Sequence, residues 1–304
     1  MKLIVPQEVT DAVLTATNVS ETSGETIWNS GTVYAEGARV ILTSTHRAYE
    51  STRDANLNNN PATDDGSNWI DVEATNPWKA FDQRIANPTT NSGTITYTLS
   101  VASKVTALAF FQLNAPSVRV VVKDSGLPAN TVFDQTVELV DASDIYDWFT
   151  FFTTELDTFK TEVLFTGFVA FPGYMIEITI GDGTGTPAVG EIAFGNLVTL
   201  GTSVNGTSIG LRSFSSKEQD QFGSFTIVPR AKSDPIEFHF SMAAQDSGRI
   251  KRVLNTVRDI PVVYLSDEAI VDWGLMTYGL FQEYELFPRA VGASLVVLEI
   301  EGLT

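Results

Sequence analysis

The sequence predicts a mainly β fold. Short apolar runs alternate with period two, and turns of Gly, Pro and Asp separate them. The composition agrees, because 43% of the 304 residues are hydrophobic and only 18% are charged, with many Thr, Val and Phe side chains that suit pleated strands. One amphipathic helix interrupts this pattern near the C-terminus. A chain of this length has room for two or three domains.

Charge and residue usage exclude several classes of function. The formal net charge is −18, and a field of that sign repels phosphate backbones, so we predict no nucleic-acid partner. The absence of cysteine excludes disulfides, thiolate metal sites and cysteine nucleophiles. The longest apolar stretch, 163–176, is broken by Gly167, Pro172 and Gly173, and residues 1–6 are too short for a signal-peptide core. We therefore expect no membrane insertion and no export by a visible signal.

The first quarter of the chain is predicted to hold an arm and a small module. Residues 1–24 begin with a short apolar run and end in a polar one, which predicts a strand or arm followed by a linker. Residues 25–74 are predicted to form a small β-module in which aromatic residues alternate with turns. Its middle, 54–66, is rich in Asn and Asp and is expected to be a long turn region.

Residues 75–199 are predicted to form a β-sandwich. The run 93–99 alternates between apolar and polar residues, as a strand with one buried face does. Further strands are predicted at 105–113, 118–123, 161–165, 175–180 and 191–194. Short strands joined by Gly, Pro and Asp turns are typical of two packed sheets.

Residues 200–304 are predicted to form a β-rich domain with one helix at about 244–259. The apolar face of this helix, with i, i+3, i+4, i+7 spacing, consists of Ile250, Val253, Leu254 and Val257. Pro261 ends the helix, because proline removes a backbone donor and restricts the residue before it. Strands are predicted around it at 225–228, 236–241, 262–265, 274–281 and 293–300.

The aromatic spacing of the small module supports a more specific expectation. A W-x5-Y-x2-G-x2-V pattern begins at Trp28, and Tyr49, Pro61 and Trp69 follow it. This pattern resembles the small chitin-binding modules of bacterial chitinases, and very similar segments occur as inserts in tail proteins of tailed bacteriophages. Aromatic rings can stack on the apolar face of a sugar. The predicted carbohydrate-binding residues are therefore Trp28, Tyr34, Tyr49 and Trp69.

The same resemblance also implies a scaffold role for these rings. In the chitin-binding family the matching first Trp, the Tyr and the last Trp are largely scaffold, and a pair of aromatics just after the second Tyr forms the sugar platform. Here that platform is missing, because Thr52 and Arg53 stand at its positions. A small β-module also needs aromatics to fill its core. Both roles stay open at this point.

Two further resemblances cover the rest of the chain. The loop with Ala80-Phe81-Asp82, the strands after it and the closing run 190–195 resemble a discoidin-type jelly roll. The C-terminal series, from Asp220 through the helix to 261–264 and the last strand, is similar to structural proteins of siphophage tails and tail tips. In those proteins a β-barrel with one flanking helix builds rings around the tail axis. The expected architecture is thus a small aromatic β-module, a jelly-roll-like β-sandwich and a C-terminal β-barrel-like domain with one flanking helix.

Little in the sequence supports catalysis. His46 and His239 are the only histidines. His239 alternates with Phe238 and Phe240 and is expected to be structural, whereas His46 is expected to be exposed in a turn of the small module. A glycoside hydrolase needs two carboxylates that face one cleft, and the acids that could be nominated are Glu50, Asp54, Asp144 and Asp147.

Metal binding has similarly weak support. Calcium could use Asp64-Asp65-Gly66 or the pair Asp141 and Asp144, but neither segment has the alternating spacing of a dedicated calcium loop. Nothing in the sequence distinguishes these acids from ordinary acidic residues on a solvent-exposed surface. We therefore predict no catalytic residue, no bound metal and no cofactor.

Two hypotheses of function follow, and we favour the first. It is a non-enzymatic structural component of a phage virion, in the tail tip or baseplate, that assembles as a homo-oligomeric ring or ring component and takes part in host-surface attachment. Its partners would be other copies of itself, other phage tail or baseplate proteins and a host surface glycan, and residues 1–24 and the C-terminal domain would make subunit contacts. It would be made in the host cytoplasm and reside in the virion tail. The alternative is a soluble glycan-binding or glycan-cleaving protein with tandem carbohydrate-binding β domains.

Overall fold

The chain folds into a mainly β structure, which confirms the predicted fold class: 48% of it is strand and 10% is helical. Most of the strands belong to one ten-stranded sheet, one five-stranded sheet and one four-stranded sheet. The computed structural model describes residues 1–22, 24–140, 147–153, 159–219, 223–228, 232–266, 275–287 and 293–303.

The first part of the chain contributes two separate strands and the small module. Its strands are β1 (Lys2–Pro6), β2 (Leu14–Thr17), β3 (Thr26–Ile27), β4 (Val33–Tyr34), β5 (Arg39–Leu42), β6 (Arg47–Ser51), β7 (Asn56–Leu57) and β8 (Trp69–Ala74). A 3-10 turn spans Pro61–Thr63. Within the module, β3, β5, β6 and β8 form the four-stranded sheet, and β4 pairs with β7.

The middle of the chain begins with a 3-10 turn at Asn76–Phe81. Its strands are β9 (Thr89–Thr90), β10 (Ile95–Ser100), β11 (Ala107–Phe111), β12 (Ser117–Lys123), β13 (Thr131–Glu138), β14 (Val163–Phe165), β15 (Met175–Ile180), β16 (Ala188–Val189) and β17 (Glu191–Thr199). A short helix, α1, spans Trp148–Thr153. The five-stranded sheet has the order β13-β12-β15-β10-β2.

The last part of the chain supplies ten strands and the longest helix. The strands are β18 (Thr202–Ser203), β19 (Ser208–Ile209), β20 (Arg212–Ser213), β21 (Ser216–Gln219), β22 (Phe225–Val228), β23 (Lys232–Ser233), β24 (Ile236–Ala243), β25 (Val262–Leu265), β26 (Met276–Phe287) and β27 (Ala293–Gly302). A 3-10 turn at Ala244–Asp246 runs into helix α2, Ser247–Thr256. The large sheet has the order β14-β11-β17-β1-β25-β26-β27-β24-β18, with β19 also paired to β24.

The jelly-roll-like sandwich has its core between the five-stranded sheet and the β14-β11-β17 part of the large sheet. Ile95, Tyr97 and Leu99 point inward from β10, and Leu108 and Phe110 meet them from β11 in one apolar cluster. Alternate residues of β10 are buried because successive side chains of a strand point to opposite faces. The period-two pattern of the sequence thus produces this layer.

The other half of the large sheet curls into a half-barrel, and α2 covers one of its faces. Ile250 and Leu254 on the helix are buried against Phe238, Phe240 and Leu298 of the sheet. The 3-10 turn and α2 together make a helix of 13 residues, close to the predicted span. Burial of this apolar stripe holds the short helix in place, because a helix of this length is only marginally stable alone.

Strand β1 joins the sandwich to the half-barrel. It pairs antiparallel with β17 on one edge and with β25 on the other, and Leu3 and Ile4 are fully buried on its two opposite faces. A strand was one of the two forms expected for residues 1–24. Both of its edges are paired within this chain, so the backbone of β1 is not available as an arm to a neighbouring subunit.

Candidate functional site

Three of the four aromatic residues predicted to bind sugar form the core of the small module. Tyr34, Tyr49 and Trp69 are only 8%, 7% and 2% exposed. Tyr34 and Trp69 meet edge to face with 5.2 Å between their ring centroids, and the Trp69 indole N–H donates to the Asn59 carbonyl at 2.9 Å. This packing fits the scaffold role for the three rings, because a sugar needs an open ring face, and sugar binding by them stays a prediction.

Trp28 is the one predicted sugar-binding residue with a partly open surface. Its ring packs against the edge of the same cluster. At the positions of the missing platform, Thr52 Oγ1 donates to the Ser67 carbonyl at 2.8 Å, and the Arg53 guanidinium donates to the Asp54 carbonyl at 3.5 Å. Both side chains are engaged in the neighbouring turn. Among the predicted residues, sugar stacking is therefore restricted to one side of Trp28.

The acids nominated for glycoside hydrolysis are engaged in local contacts. Glu50 forms an ion pair with Arg39 at 3.1 Å. Asp54 accepts a backbone N–H at 3.1 Å, Asp147 accepts another at 2.7 Å, and Asp144 lies outside the described residues. Contacts of this kind are ordinary for exposed strands and turns.

The first of the two candidate calcium segments is a closed turn. Asp64 accepts the backbone N–H groups of Gly66, Asn68 and Trp69, each at 3.0 Å. Burial raises the pKa of Asp64, but these hydrogen bonds outweigh it and the pKa is lowered. The second segment, around Asp141, lies outside the described residues. Within the described ranges, no three His, Cys, Asp or Glu side chains gather to hold a metal ion.

The two histidines have different surroundings. His239 in β24 lies 2.8 Å from the Glu237 carboxylate. His46 has a side chain that is only 22% exposed, and its ring stacks on Trp78. The prediction of an exposed His46 is therefore wrong, because its turn packs against segments that precede and follow the module.

A polar cavity that the sequence analysis missed lies where β1, the sandwich and the half-barrel meet. Its volume is about 480 Å³. Apolar side chains such as Phe81, Val257 and Ile260 form part of its wall. The polar side chains of the lining are Gln7, Glu8, Asp82, Gln83, Glu191, Thr256 and Tyr278.

Glu191 is the most deeply buried acid of this cavity, with 4% of its surface exposed. One of its carboxylate oxygens accepts the Gln83 backbone N–H at 2.9 Å, and the other lies 3.5 Å from the Tyr278 hydroxyl. Asp82 Oδ2 and Gln7 Nε2 are also buried, and neither has a hydrogen-bond partner in the part of the chain that the structure describes. A buried acceptor and a buried donor beside the cavity are therefore without a hydrogen-bond partner in the described part of the chain.

Burial raises the pKa values of two acids of the cavity, Glu191 and Asp82. Burial raises the pKa of Glu191 well above its ordinary value, and the nearby Asp82 adds to this shift. Burial also raises the pKa of Asp82, against the lowering effect of the Arg84 N–H and of nearby cations. The available sequence signal was the lone carboxylate inside the apolar run 190–195. A pKa that differs between the folded and unfolded states makes stability depend on pH.

We expect Glu191→Gln to stabilise the protein at high pH relative to the natural chain. The raised pKa means that the folded state keeps a proton that the unfolded state loses, so the natural chain loses stability as pH rises above about 4.3, the ordinary pKa of glutamate. An amide does not titrate. The advantage of the variant should grow by up to about 1.4 kcal/mol for each pH unit until Glu191 ionises in the folded state.

Urea unfolding at several pH values measures this difference. Glu50→Gln provides the control, because the Glu50 side chain is 42% exposed and pairs with Arg39, so the same substitution there should give no gain in stability at high pH. A constant difference between Glu191→Gln and the natural chain at every pH would show that the pKa of Glu191 is the same in the folded and unfolded states.

Comparison with known proteins leaves the family of the chain open. No protein-family model matches it, and a search of curated proteins found no match. No helix in the described parts of the chain is long and apolar enough to cross a membrane. The function must therefore be argued from the geometry together with the sequence resemblances.

Proposed function

We propose that the protein is a non-enzymatic structural component of a phage virion, located in the tail tip or baseplate, where copies of it form a homo-oligomeric ring or ring component. Its partners are other copies of itself and other tail or baseplate proteins, with a host surface glycan as a further partner. The proposal starts from the resemblance of the C-terminal series to siphophage tail proteins. One structural observation carries it further: strand β26 has a half-open edge.

The half-open edge arises because β26 is much longer than its neighbour β25. Strand β25 covers only the first part of β26, because its residues Val262 to Leu265 pair with Met276 to Gly279. Beyond Gly279, β26 pairs on one side with β27, and no strand of the described chain covers its other side. A row of backbone N–H and C=O groups without strand partners is a template for another chain.

A β-hairpin that continues from the β19–β24 pair supplies an exposed apolar surface. The paired strands β20 with β23 and β21 with β22 extend away from the β19–β24 pair. The apolar side chains Leu211 and Ile227 on this hairpin are 88% and 68% exposed, and Phe214 and Val228 are partly exposed as well. Exposed apolar groups gathered on one element are typical of a contact surface for another protein.

The edge of β26 and the hairpin are different surfaces of the chain. A contact between the edge of one copy and the hairpin of the next is therefore head-to-tail. Repetition of a head-to-tail contact gives a closed ring when the rotation between copies closes. Because β1 is paired on both edges within its own chain, the subunit contact shifts from the predicted arm to β26 and the hairpin. The C-terminal domain keeps the contact role that the sequence suggested.

Light scattering and electron microscopy of the purified protein test this proposal. We expect a mass several times that of one chain and ring-shaped particles. Ile227→Lys should weaken the association at least tenfold, because burial of a lysine in an apolar contact costs more than about 1.4 kcal/mol. Mass spectrometry of phage particles should detect the protein.

Ile70→Lys is the matched control. Ile70 lies in β8 of the small module and is 56% exposed, so the same change at similar exposure should leave the association intact. A natural chain that stays monomeric at all concentrations and is absent from phage particles would overturn the proposal. The glycan-binding alternative has weaker support, because three of its four predicted rings are buried.

A further inference from the structure

The aromatic module has its own apolar core, and polar side chains join it to the rest of the chain. The module cluster around Tyr49 and Trp69 shares no member with the sandwich cluster. Contacts across the boundary include an ion pair of Glu73 with Lys79 at 3.1 Å and a hydrogen bond from the Arg84 guanidinium to the Val72 carbonyl at 3.1 Å. A boundary of this kind responds to changes in charge.

His46 lies at the centre of this boundary. It occupies the turn between β5 and β6 with a left-handed backbone, φ 54°. Its Nε2 lies 2.6 Å from Asp11 Oδ1 and its Nδ1 lies 2.8 Å from Glu21 Oε1, both of which precede the module in sequence. Its ring stacks on Trp78, which follows the module, with centroids 4.1 Å apart and planes inclined by 21°.

The two carboxylate contacts determine the charge of the ring. An ionised carboxylate only accepts hydrogen bonds, and a neutral imidazole carries a single N–H, so both contacts form together only when both ring nitrogens carry a proton. Loss of one proton places a nitrogen lone pair against a carboxylate oxygen. Histidine is the side chain whose charge ordinarily changes near neutral pH, and a change in its charge is the event that would break one of the two contacts.

Other charged groups near His46 are paired or lie farther from its ring. Arg47 forms an ion pair with Asp71 at 2.6 Å, and Lys79 is held by Glu73. Asp82 lines the same recess as His46, and burial raises its pKa. A comparison of His46 variants separates the effect of His46 from that of Asp82.

We propose that His46 is a pH-dependent latch of the aromatic module. As an imidazolium it ties the module to the N-terminal segment through Asp11, to the linker through Glu21 and to the sandwich through Trp78. As a neutral imidazole it gives up one carboxylate contact, and the module gains freedom to move. This device does not depend on the proposed role in a phage tail.

Hydrogen exchange of the full-length protein at about pH 5.5 and about pH 8 tests the latch. After correction for the intrinsic pH dependence of exchange, protection of segments 44–48 and 75–79 should fall at least threefold from the lower to the higher pH. His46→Gln should show the lower protection at both pH values. The glutamine amide carries both of its N–H groups on one nitrogen, so it cannot reach two carboxylates that lie on opposite sides of the histidine ring.

His239→Gln is the matched control, since it removes the only other histidine and should keep the natural pH response. Asp11→Asn is a second variant that should fold, because the Asp11 side chain is 77% exposed. Its amide can donate to a neutral ring nitrogen, so the fall in protection should shrink. Equal protection of the natural chain at both pH values, or a full pH response in His46→Gln, would overturn the proposal.

Discussion

Gly195→Ala is expected to displace β1 from the centre of the large sheet and to lower the free energy of unfolding by about 3 kcal/mol or more. A Cβ atom at Gly195 would overlap the carbonyl oxygen of Val5. Gly195 lies between two strands, opposite Pro6 of β1 and Ala107 of β11. The backbone therefore cannot move away from one strand without pressing on the other.

The position of β1 makes the expected effect large. Leu3 packs in the half-barrel cluster on one face of the strand, and Ile4 packs in a different cluster on the other face. Both side chains are fully buried, and full burial of an aliphatic side chain contributes about 1.5–3 kcal/mol. Displacement of β1 therefore weakens two apolar clusters as well as two rows of backbone hydrogen bonds.

Denaturant unfolding with hydrogen exchange of the β1 amides measures this effect. Gly248→Ala is the matched control, because a Cβ at Gly248 meets nothing within 4 Å. Gly248 lies in α2, where alanine is favoured over glycine by up to about 1 kcal/mol, so this variant should be slightly more stable than the natural chain. An unchanged unfolding midpoint for Gly195→Ala would contradict the central position of β1.

Elements with a clear local pattern were predictable from sequence. Strands β15 and β25 begin and end where the apolar runs do, and α2 coincides with the only stripe of helical spacing. One face of β15 and of α2 is buried, so the spacing of apolar residues marks them, whereas β25 is buried on both faces and is marked by a short continuous apolar run. The burial of Phe238 and Phe240 on one face of β24 follows the same rule.

Elements without such a pattern were missed. Most side chains of β13 are exposed, so no apolar face marks it, and β21 is a short polar strand that is defined by its pairing with β22. The position of β1 in the large sheet could not be predicted for a different reason. Its partners, β17 and β25, lie far along the chain, and a local pattern holds no information about such distant pairing.

The local sequence pattern was also insufficient to assign the roles of residues in the candidate sites. A ring that stacks on a sugar and a ring that fills a core are the same residue type, so the sequence alone could not assign Tyr34, Tyr49 and Trp69. Glu191 was missed because its raised pKa comes from burial and from the nearby Asp82, which is distant in sequence. His46 acquires its two carboxylate partners only when the module folds against the N-terminal segment.

Trp69→Ala is expected to unfold the aromatic module while the sandwich and the half-barrel stay folded. Removal of a buried Trp side chain costs about 3–5 kcal/mol, and Trp69 also supplies the hydrogen bond to Asn59 and the ring contact with Tyr34. A β-module of this size buries too little surface to absorb such a loss. Its apolar core is separate from that of the sandwich, so the damage should remain local.

Hydrogen exchange in β5 and β6, compared with β10 of the sandwich, measures this local unfolding. Trp28→Ala is the control, because Trp28 lies at the edge of the same cluster and is only partly buried, so its loss should cost less and leave the module folded. The pair of variants also separates the two roles that the chitin-binding resemblance implies. A folded Trp28→Ala variant with altered glycan binding would support a sugar site on Trp28. Unchanged protection in Trp69→Ala would mean that Trp69 is not the core of the module, and sugar stacking on its ring would again be a valid hypothesis.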